Sequence, residues 1–140
     1  MVANDRLLKK FLGTEDTIQV YLAGKLRFRS TQTGIKPLLT YIQEFAPCPE
    51  GAIVFDRVVG NAAALLLKEA SCAEVYGPLG SQLAAQTLEK FGISYSFLKT
   101  VPYIVNRHGN DMCPFEKASL GRSPAEFYEI AKEKLASVEN

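Results

Sequence analysis

Metal ligands are scarce in this sequence. It contains one histidine, His108, and three cysteines, Cys48, Cys72 and Cys113, with no Cys-x-x-Cys and no His-x-Glu spacing. A zinc site needs three or four such ligands in a tetrahedral array, so we predict no metal site and no cofactor. A glycine-rich phosphate loop is also missing, because the segment GPLGSQ at 77–82 lacks the lysine and the spacing of a P-loop. We interpret Cys48 and Cys72 as packing residues.

Charge of one sign and long apolar runs are lacking as well. Sixteen Lys and Arg stand against fifteen Asp and Glu, so no nucleic acid or other polyanionic partner is indicated. The longest apolar run, AAALLL at 62–67, is too short to span a bilayer, and residues 1–10 lack the apolar core of a signal peptide. An odd number of cysteines at no familiar spacing is typical of reduced thiols. We therefore expect one cytoplasmic domain over residues 1–140, without a membrane partner.

Hydrophobic periodicity predicts alternating helices and strands. The predicted elements are a helix at 5–12, a β-hairpin at 18–30, helices at 33–45, 58–70 and 79–91, strands at 52–55, 73–77 and 93–98, and helices at 113–120 and 123–138. The segment 101–105 is either separate or a bent continuation of the last strand. This order predicts a three-layer α/β/α fold with a mixed, mostly parallel sheet of about five strands and an N-terminal antiparallel hairpin. The helix at 58–70 is apolar almost all round, which predicts packing on several sides.

Two charged residues, Asp56 and Arg57, directly follow the strand predicted at 52–55. Ligands of such sheets usually bind beyond the carboxyl ends of the strands, so these side chains can orient a polar ligand above the next helix. The structural alternative is that Asp56 is the N-cap of that helix. Gly60 suggests close approach by a ligand or another backbone segment, and Asn61 offers both a donor and an acceptor.

The segment NRHGNDMCPFEK at 106–117 concentrates polar residues. Its CPFE has the cap, proline and glutamate spacing of SPAE at 123–126, which predicts two helix starts. Sulfur is a weak acceptor, so Cys113 is open to three interpretations: a reactive thiol, a non-covalent ligand contact, or a structural residue. Arg107 or a protonated His108 would favour its thiolate and Glu116 would oppose it. We interpret His108 as an exposed turn residue.

Three segments together resemble a known family. DRVVGNAAALLL at 56–67, TGIKPLL at 33–39 and NRHGNDMCPFEKA at 106–118 are similar to the family catalogued as domain of unknown function 1893. The resemblance implies a cytidine deaminase-like fold, in which two helix starts frame a pocket. Zinc deaminases carry their ligands and catalytic glutamate at those starts, but this chain has TGIKP at 33–37 and DRVVG at 56–60. The family often has a lysine where this sequence has Asn61.

Three functions remain as hypotheses. The first is a zinc-less deaminase-like domain that binds a small polar metabolite, such as a nucleoside or a nucleotide-like compound. The second is a metal-independent enzyme with Cys113 as thiolate nucleophile and Asp56, Glu116 or His108 handling protons. The third is a structural or regulatory homo-oligomer with its contact at the apolar helix. The predicted ligand-binding residues are Gly34, Lys36, Arg57, Gly60, Asn61, Asn106 and Arg107, and the candidate catalytic residues are Asp56, Cys113 and Glu116.

Overall fold

The computed structural model describes residues 2–139, and the side chains of residues 4–137. Within that range the strands are β1 (Ile18–Leu22), β2 (Lys25–Ser30), β3 (Ala52–Asp56), β4 (Val58–Val59), β5 (Cys72–Ser81) and β6 (Ser94–Val101). The helices are α1 (Val2–Leu12), α2 (Lys36–Phe45), α3 (Asn61–Glu69), α4 (Gln82–Lys90), α5 (Pro114–Ser119) and α6 (Pro124–Glu139). None of these helices is both long and apolar enough to cross a membrane.

The predicted hairpin is confirmed at β1 and β2. Its two turn residues, Ala23 and Gly24, both have positive φ angles, of 52° and 80°, and Leu22 pairs with Lys25 across the turn. Positive φ at both central positions is typical of the turn whose twist matches that of the strands, and glycine adopts it without steric cost.

The sheet is mixed, so the prediction of a mostly parallel sheet was wrong. β1 runs antiparallel to both β2 and β3, whereas β5 runs parallel to β3, β4 and β6. The cause is the position of the hairpin, since β1 lies between β2 and β3 and runs opposite to both. β6 pairs with one side of β5 from Glu74 to Ser81, so β4 must meet β5 on the side of β3. The described chain thus has six strands where about five were expected.

Helices cover both faces of the sheet unequally. The larger core contains buried residues of α2, α3, α4 and α6 together with Val20 and Val54 of the sheet. The opposite face is covered by α1, through a small cluster of Phe11, Tyr21 and Phe55. In α3 every residue from 61 to 67 is buried, which confirms the predicted packing on several sides. An oligomer contact through α3 would need a surface that the chain itself already covers.

Two helices begin later than predicted because the sheet extends further. Val58 and Val59 pair with Leu79 and Gly80 instead of entering helices, so α3 begins at Asn61 and α4 at Gln82. These short apolar stretches are compatible with either state by periodicity, and the pairing partner decides. Val58 and Gly60 are thereby held at the edge of a cavity.

Candidate functional site

A cavity of about 310 Å³ lies beyond the carboxyl end of β3. It is bounded by that strand end, the starts of β1, α2 and α3, and the segment leading into α5. Its apolar walls are Ile35, Val58, Ala62, Ala63, Ile104 and Phe115. Its polar lining residues are Thr17, Thr33, Asp56, Arg57, Cys113 and Glu116, with Gly34 and Gly60 adding backbone. Mostly apolar walls with a few polar groups are usual for small-molecule sites.

Asp56 is a buried acid that lines the cavity. Its residue is 9% exposed and lies at the last position of β3, opposite Ile18 of β1. Its Oδ1 accepts a long hydrogen bond of 3.4 Å from the Val58 N–H. Burial raises the pKa of the carboxyl from 3.8 to about 7, although the N–H groups of Val58 and Arg57 lower it. Asp56 is therefore poised to exchange a proton near neutral pH.

The N-cap interpretation of Asp56 was wrong. The N-cap of α3 is Gly60, which offers no side chain, and the capping group comes from α5 instead. The Glu116 carboxylate, 2% exposed, accepts from the Asn61 N–H at 2.5 Å and the Ala62 N–H at 3.4 Å. Its other oxygen accepts from the Ile104 N–H at 3.0 Å. An internal anion thus satisfies donors at the start of α3 that would otherwise lack partners.

Gly60 is needed for this approach. A Cβ atom at Gly60 would lie 2.7 Å from Glu116 Oε1 and 2.8 Å from Ile104 Cγ1. Its φ of −93° is accessible to any residue, so the requirement is steric. The close neighbour expected at Gly60 is therefore a side-chain carboxylate rather than a ligand or a backbone segment.

Arg57 has a structural task. Its guanidinium donates to the carbonyls of Asp16 at 2.9 Å, Thr14 at 2.6 Å and Phe11 at 3.3 Å. It also lies over the Phe11 ring, 4.9 Å from the centroid. These contacts fasten the end of α1 and the following turn to the sheet, so the cationic end of Arg57 is already engaged.

Cys113 and Asp56 line the same cavity. Cys113 is half-buried, is the N-cap of α5 and forms no side-chain capping bond. The later SPAE copy does form the expected capping box, since the Ser123 N–H donates to Glu126 and the Glu126 N–H donates to Ser123 Oγ. The two copies differ because Glu116 is turned toward α3, where it bonds N–H groups of another helix.

Several predicted ligand-binding residues lie outside the cavity lining. Asn61 is buried behind it, donating to Ser119 Oγ at 2.9 Å and accepting from the Thr87 hydroxyl. Asn61 therefore joins α3 to α4 and α5, and the lysine that the family often has at this place would meet a closed packing site in this chain. Asn106 bonds Asn110 within a turn, at 2.9 Å. Lys36 is half-buried and does not line the cavity. Arg107 and His108 are exposed and do not line it either. His108 was predicted to be an exposed turn residue, and it is exposed.

Sequence reasoning named none of the six apolar wall residues. Five of them lie in segments that were noticed, so their position beside polar candidates was a usable signal: Ile35, Val58, Ala62, Ala63 and Phe115. Thr17 and Ile104 carry no such signal, because they reach the cavity only through strand pairing and the path of the chain before α5. Among residues 2–139 no group of three or more His, Cys, Asp or Glu side chains has a metal-binding arrangement.

Fold and site together define a mixed α/β protein with an acid-lined cavity at the end of a central strand. The family model described as "TM1506: Domain of unknown function (DUF1893)" matches residues 7–135, and the chain belongs to this family. The family resemblance predicted from the three segments is thereby confirmed. The crystal structure of a DUF1893 family protein (TM1506) from Thermotoga maritima is 30% identical, with a TM-score of 0.85, over 94% of this chain and 88% of that one. No curated protein matches the chain.

Proposed function

We propose that the cavity binds a small, polar, nucleoside- or nucleotide-like metabolite on a cytidine deaminase-like scaffold without a zinc site. Support for this scaffold comes from the order of elements, in which a hairpin precedes alternating helices and strands. The starts of α2 and α3 both border the cavity, through Gly34, Ile35 and Gly60. Zinc deaminases hold their metal between the corresponding helix starts. Here a carboxylate from α5 lies at the start of α3 instead.

The buried carboxyl of Asp56 is the observation that carries the proposal. Burying an ionisable group without a charged partner destabilises the folded state at neutral pH. Asp56 has backbone N–H partners alone within the described residues, and its pKa is raised to about 7. Groups perturbed in this way are concentrated at functional sites. Near pH 7 Asp56 can both donate to and accept from a ligand, which suits the polar edge of a heterocycle.

The size and lining of the cavity agree with such a ligand. Its volume of about 310 Å³ is at the lower end of the range usual for small-molecule pockets, about 300–1,000 Å³. Ile35, Ala62 and Phe115 supply apolar surface for the faces of a ring, while Asp56 supplies directional hydrogen bonds. A small ring compound therefore fits better than a long or multiply charged one.

Thermal unfolding with a panel of compounds tests the proposal. Cytidine, uridine, adenosine, guanosine and their 5′-monophosphates are added singly to wild type, Asp56→Asn and the exposed control Asp111→Asn. A ligand at 100 times its Kd stabilises the protein by about 2.7 kcal/mol. We expect at least one compound to raise the Tm of wild type and of the control, with a smaller effect on Asp56→Asn. The proposal fails if no compound changes the Tm and soaked crystals show only water in the cavity.

Thiol chemistry is the second candidate function. The observation that favours it is that half-buried Cys113 shares the cavity with Asp56, a carboxyl able to exchange protons near neutral pH. Measuring the alkylation rate of Cys113 against pH tests it, because a nucleophilic thiol needs a depressed pKa. An apparent pKa at or above about 8.5 contradicts the nucleophile.

A further inference from the structure

We infer that the cavity accepts an unphosphorylated nucleoside or free base and rejects the corresponding 5′-phosphate. This inference rests on the proposed function and narrows it to one ligand class. It follows from four features of the cavity wall: two carboxyl groups, an arginine that already binds backbone carbonyls, a helix start that is already capped, and a second helix start with one donor fewer than usual.

Two buried acids face the cavity from different elements. Asp56 ends β3 and Glu116 lies in α5, with exposures of 9% and 2%. Like charges in a partly desolvated space repel more strongly than they do in water. A phosphate dianion placed between these walls meets repulsion from the Glu116 carboxylate and from the ionised form of Asp56, whereas an uncharged nucleoside does not.

No lining cation compensates for these acids within residues 2–139. Arg57 is the single basic residue of the lining, and its guanidinium holds three carbonyl oxygens at distances between 2.6 and 3.3 Å. Turning toward a phosphate would abandon these bonds and the stacking over Phe11. The helix α1 would lose its anchor, so Arg57 is a poor phosphate ligand.

Helix starts, the usual alternative for phosphate binding, are also poorly suited here. At α3 the N–H groups of Asn61 and Ala62 already donate to Glu116, so an internal carboxylate occupies the anion site. At α2 the second residue is Pro37, which has no N–H, so this start has one donor fewer than usual. Gly34 and Ile35 bring the α2 start to the cavity, but Lys36 is outside the lining.

Calorimetric titration of matched pairs tests the inference. Each nucleoside of the panel is compared with its own 5′-monophosphate on wild type, and we expect the monophosphate of any binding nucleoside to bind at least tenfold more weakly. Thr33→Lys adds a cation to the exposed rim of the lining and should reduce this ratio at least fivefold. Thr100→Lys makes the same change on exposed β6, outside the lining, and should leave the ratio within twofold of wild type.

The outcomes separate the inference from the function on which it rests. A monophosphate that binds wild type as tightly as its nucleoside overturns the inference and leaves the proposed function standing. The inference is also overturned if Thr33→Lys has no more effect than Thr100→Lys, because the discrimination would then not arise from charge in the cavity. If no nucleoside and no monophosphate binds, the proposed function itself fails.

Discussion

Replacing Asp56 by Asn should stabilise the protein more at pH 8 than at pH 5. Burial raises the pKa of Asp56 from 3.8 to about 7, so between these values the folded state binds the proton more tightly than the unfolded state. The stability that this proton contributes is fully present below the unfolded pKa and is lost as the pH rises through the folded pKa. Wild type therefore loses stability between about pH 4 and pH 7, and the asparagine variant does not.

The size of the effect follows from the two pKa values. A difference of about three units corresponds to about 4 kcal/mol over the full range, at roughly 1.4 kcal/mol per unit. Between pH 5 and pH 8 the part that remains is about 2–3 kcal/mol. Asparagine has nearly the same shape, and its carbonyl oxygen can still accept from the Val58 N–H, so packing should change little.

Urea denaturation followed by circular dichroism at pH 5, 6, 7 and 8 measures this difference. The control is Asp111→Asn, because the exposed Asp111 has its pKa lowered by Lys117 and the stability it contributes is instead lost as the pH falls. A constant difference between Asp56→Asn and wild type at all four pH values would refute a carboxyl that is buried and easily protonated. A stability advantage of Asp56→Asn over wild type that is larger at pH 5 than at pH 8 would refute it more directly.

Three further predictions concern the neighbours of Asp56. Glu116→Gln should lower the free energy of unfolding by about 1–3 kcal/mol, because an amide cannot accept hydrogen bonds at both ends. The control variant Glu126→Gln, at an exposed position, should lower it much less. Equal urea midpoints for the two variants would contradict this. Gly60→Ala should lower the free energy of unfolding by about 1–3 kcal/mol through overpacking, and by less when Glu116 is also replaced by alanine. A strictly additive double-mutant cycle would rule out the contact between residue 60 and Glu116. Native Cys113 should be alkylated faster than Cys72, whose burial raises its pKa to about 12; equal rates in peptide mapping would disprove this.

These contacts separate the two carboxyl groups by task. Both oxygens of Glu116 accept backbone N–H bonds, so a proton-transfer role for Glu116 would require α3 and the Ile104 segment to give up their cap. Asp56 accepts a long hydrogen bond of 3.4 Å from the Val58 N–H, and burial raises its pKa to about 7 although the N–H groups of Val58 and Arg57 lower it. Asp56 is therefore the better placed of the two to act on a ligand. Asp56 is the residue whose replacement should most affect function and least harm folding.

Local patterns were sufficient for several elements. The hairpin turn at Ala23–Gly24, the capping box at 123–126 and the apolar face of α2 depend on neighbours within a few residues along the chain. The three family segments were likewise readable, because each is continuous in sequence. Two polar residues that were singled out because they follow a strand end, Asp56 and Arg57, both line the cavity.

Partners that are distant along the chain could not be predicted in this way. The cap of α3 comes from Glu116, 55 residues away from Asn61, and its spacing within CPFE favoured a local cap on α5. Arg57 is engaged by carbonyls 41 to 46 residues away, which made it a structural residue although its position favoured a ligand contact. Hydrogen-bond donors in a folded chain are satisfied by whichever acceptor the packing brings close, and this depends on the whole fold.

The sequence by itself determined the alternation of helices and strands, the family, and the identity of Asp56 and Cys113 as residues worth testing. Periodicity and turn chemistry are local, so they can be read from neighbours in the chain. Only the tertiary structure decided that β1 pairs antiparallel with β3, that Asp56 is buried with no charged partner among the described side chains, and that Glu116 caps another helix. Burial and long-range pairing exist only after the chain has folded, and they set the charge of the cavity.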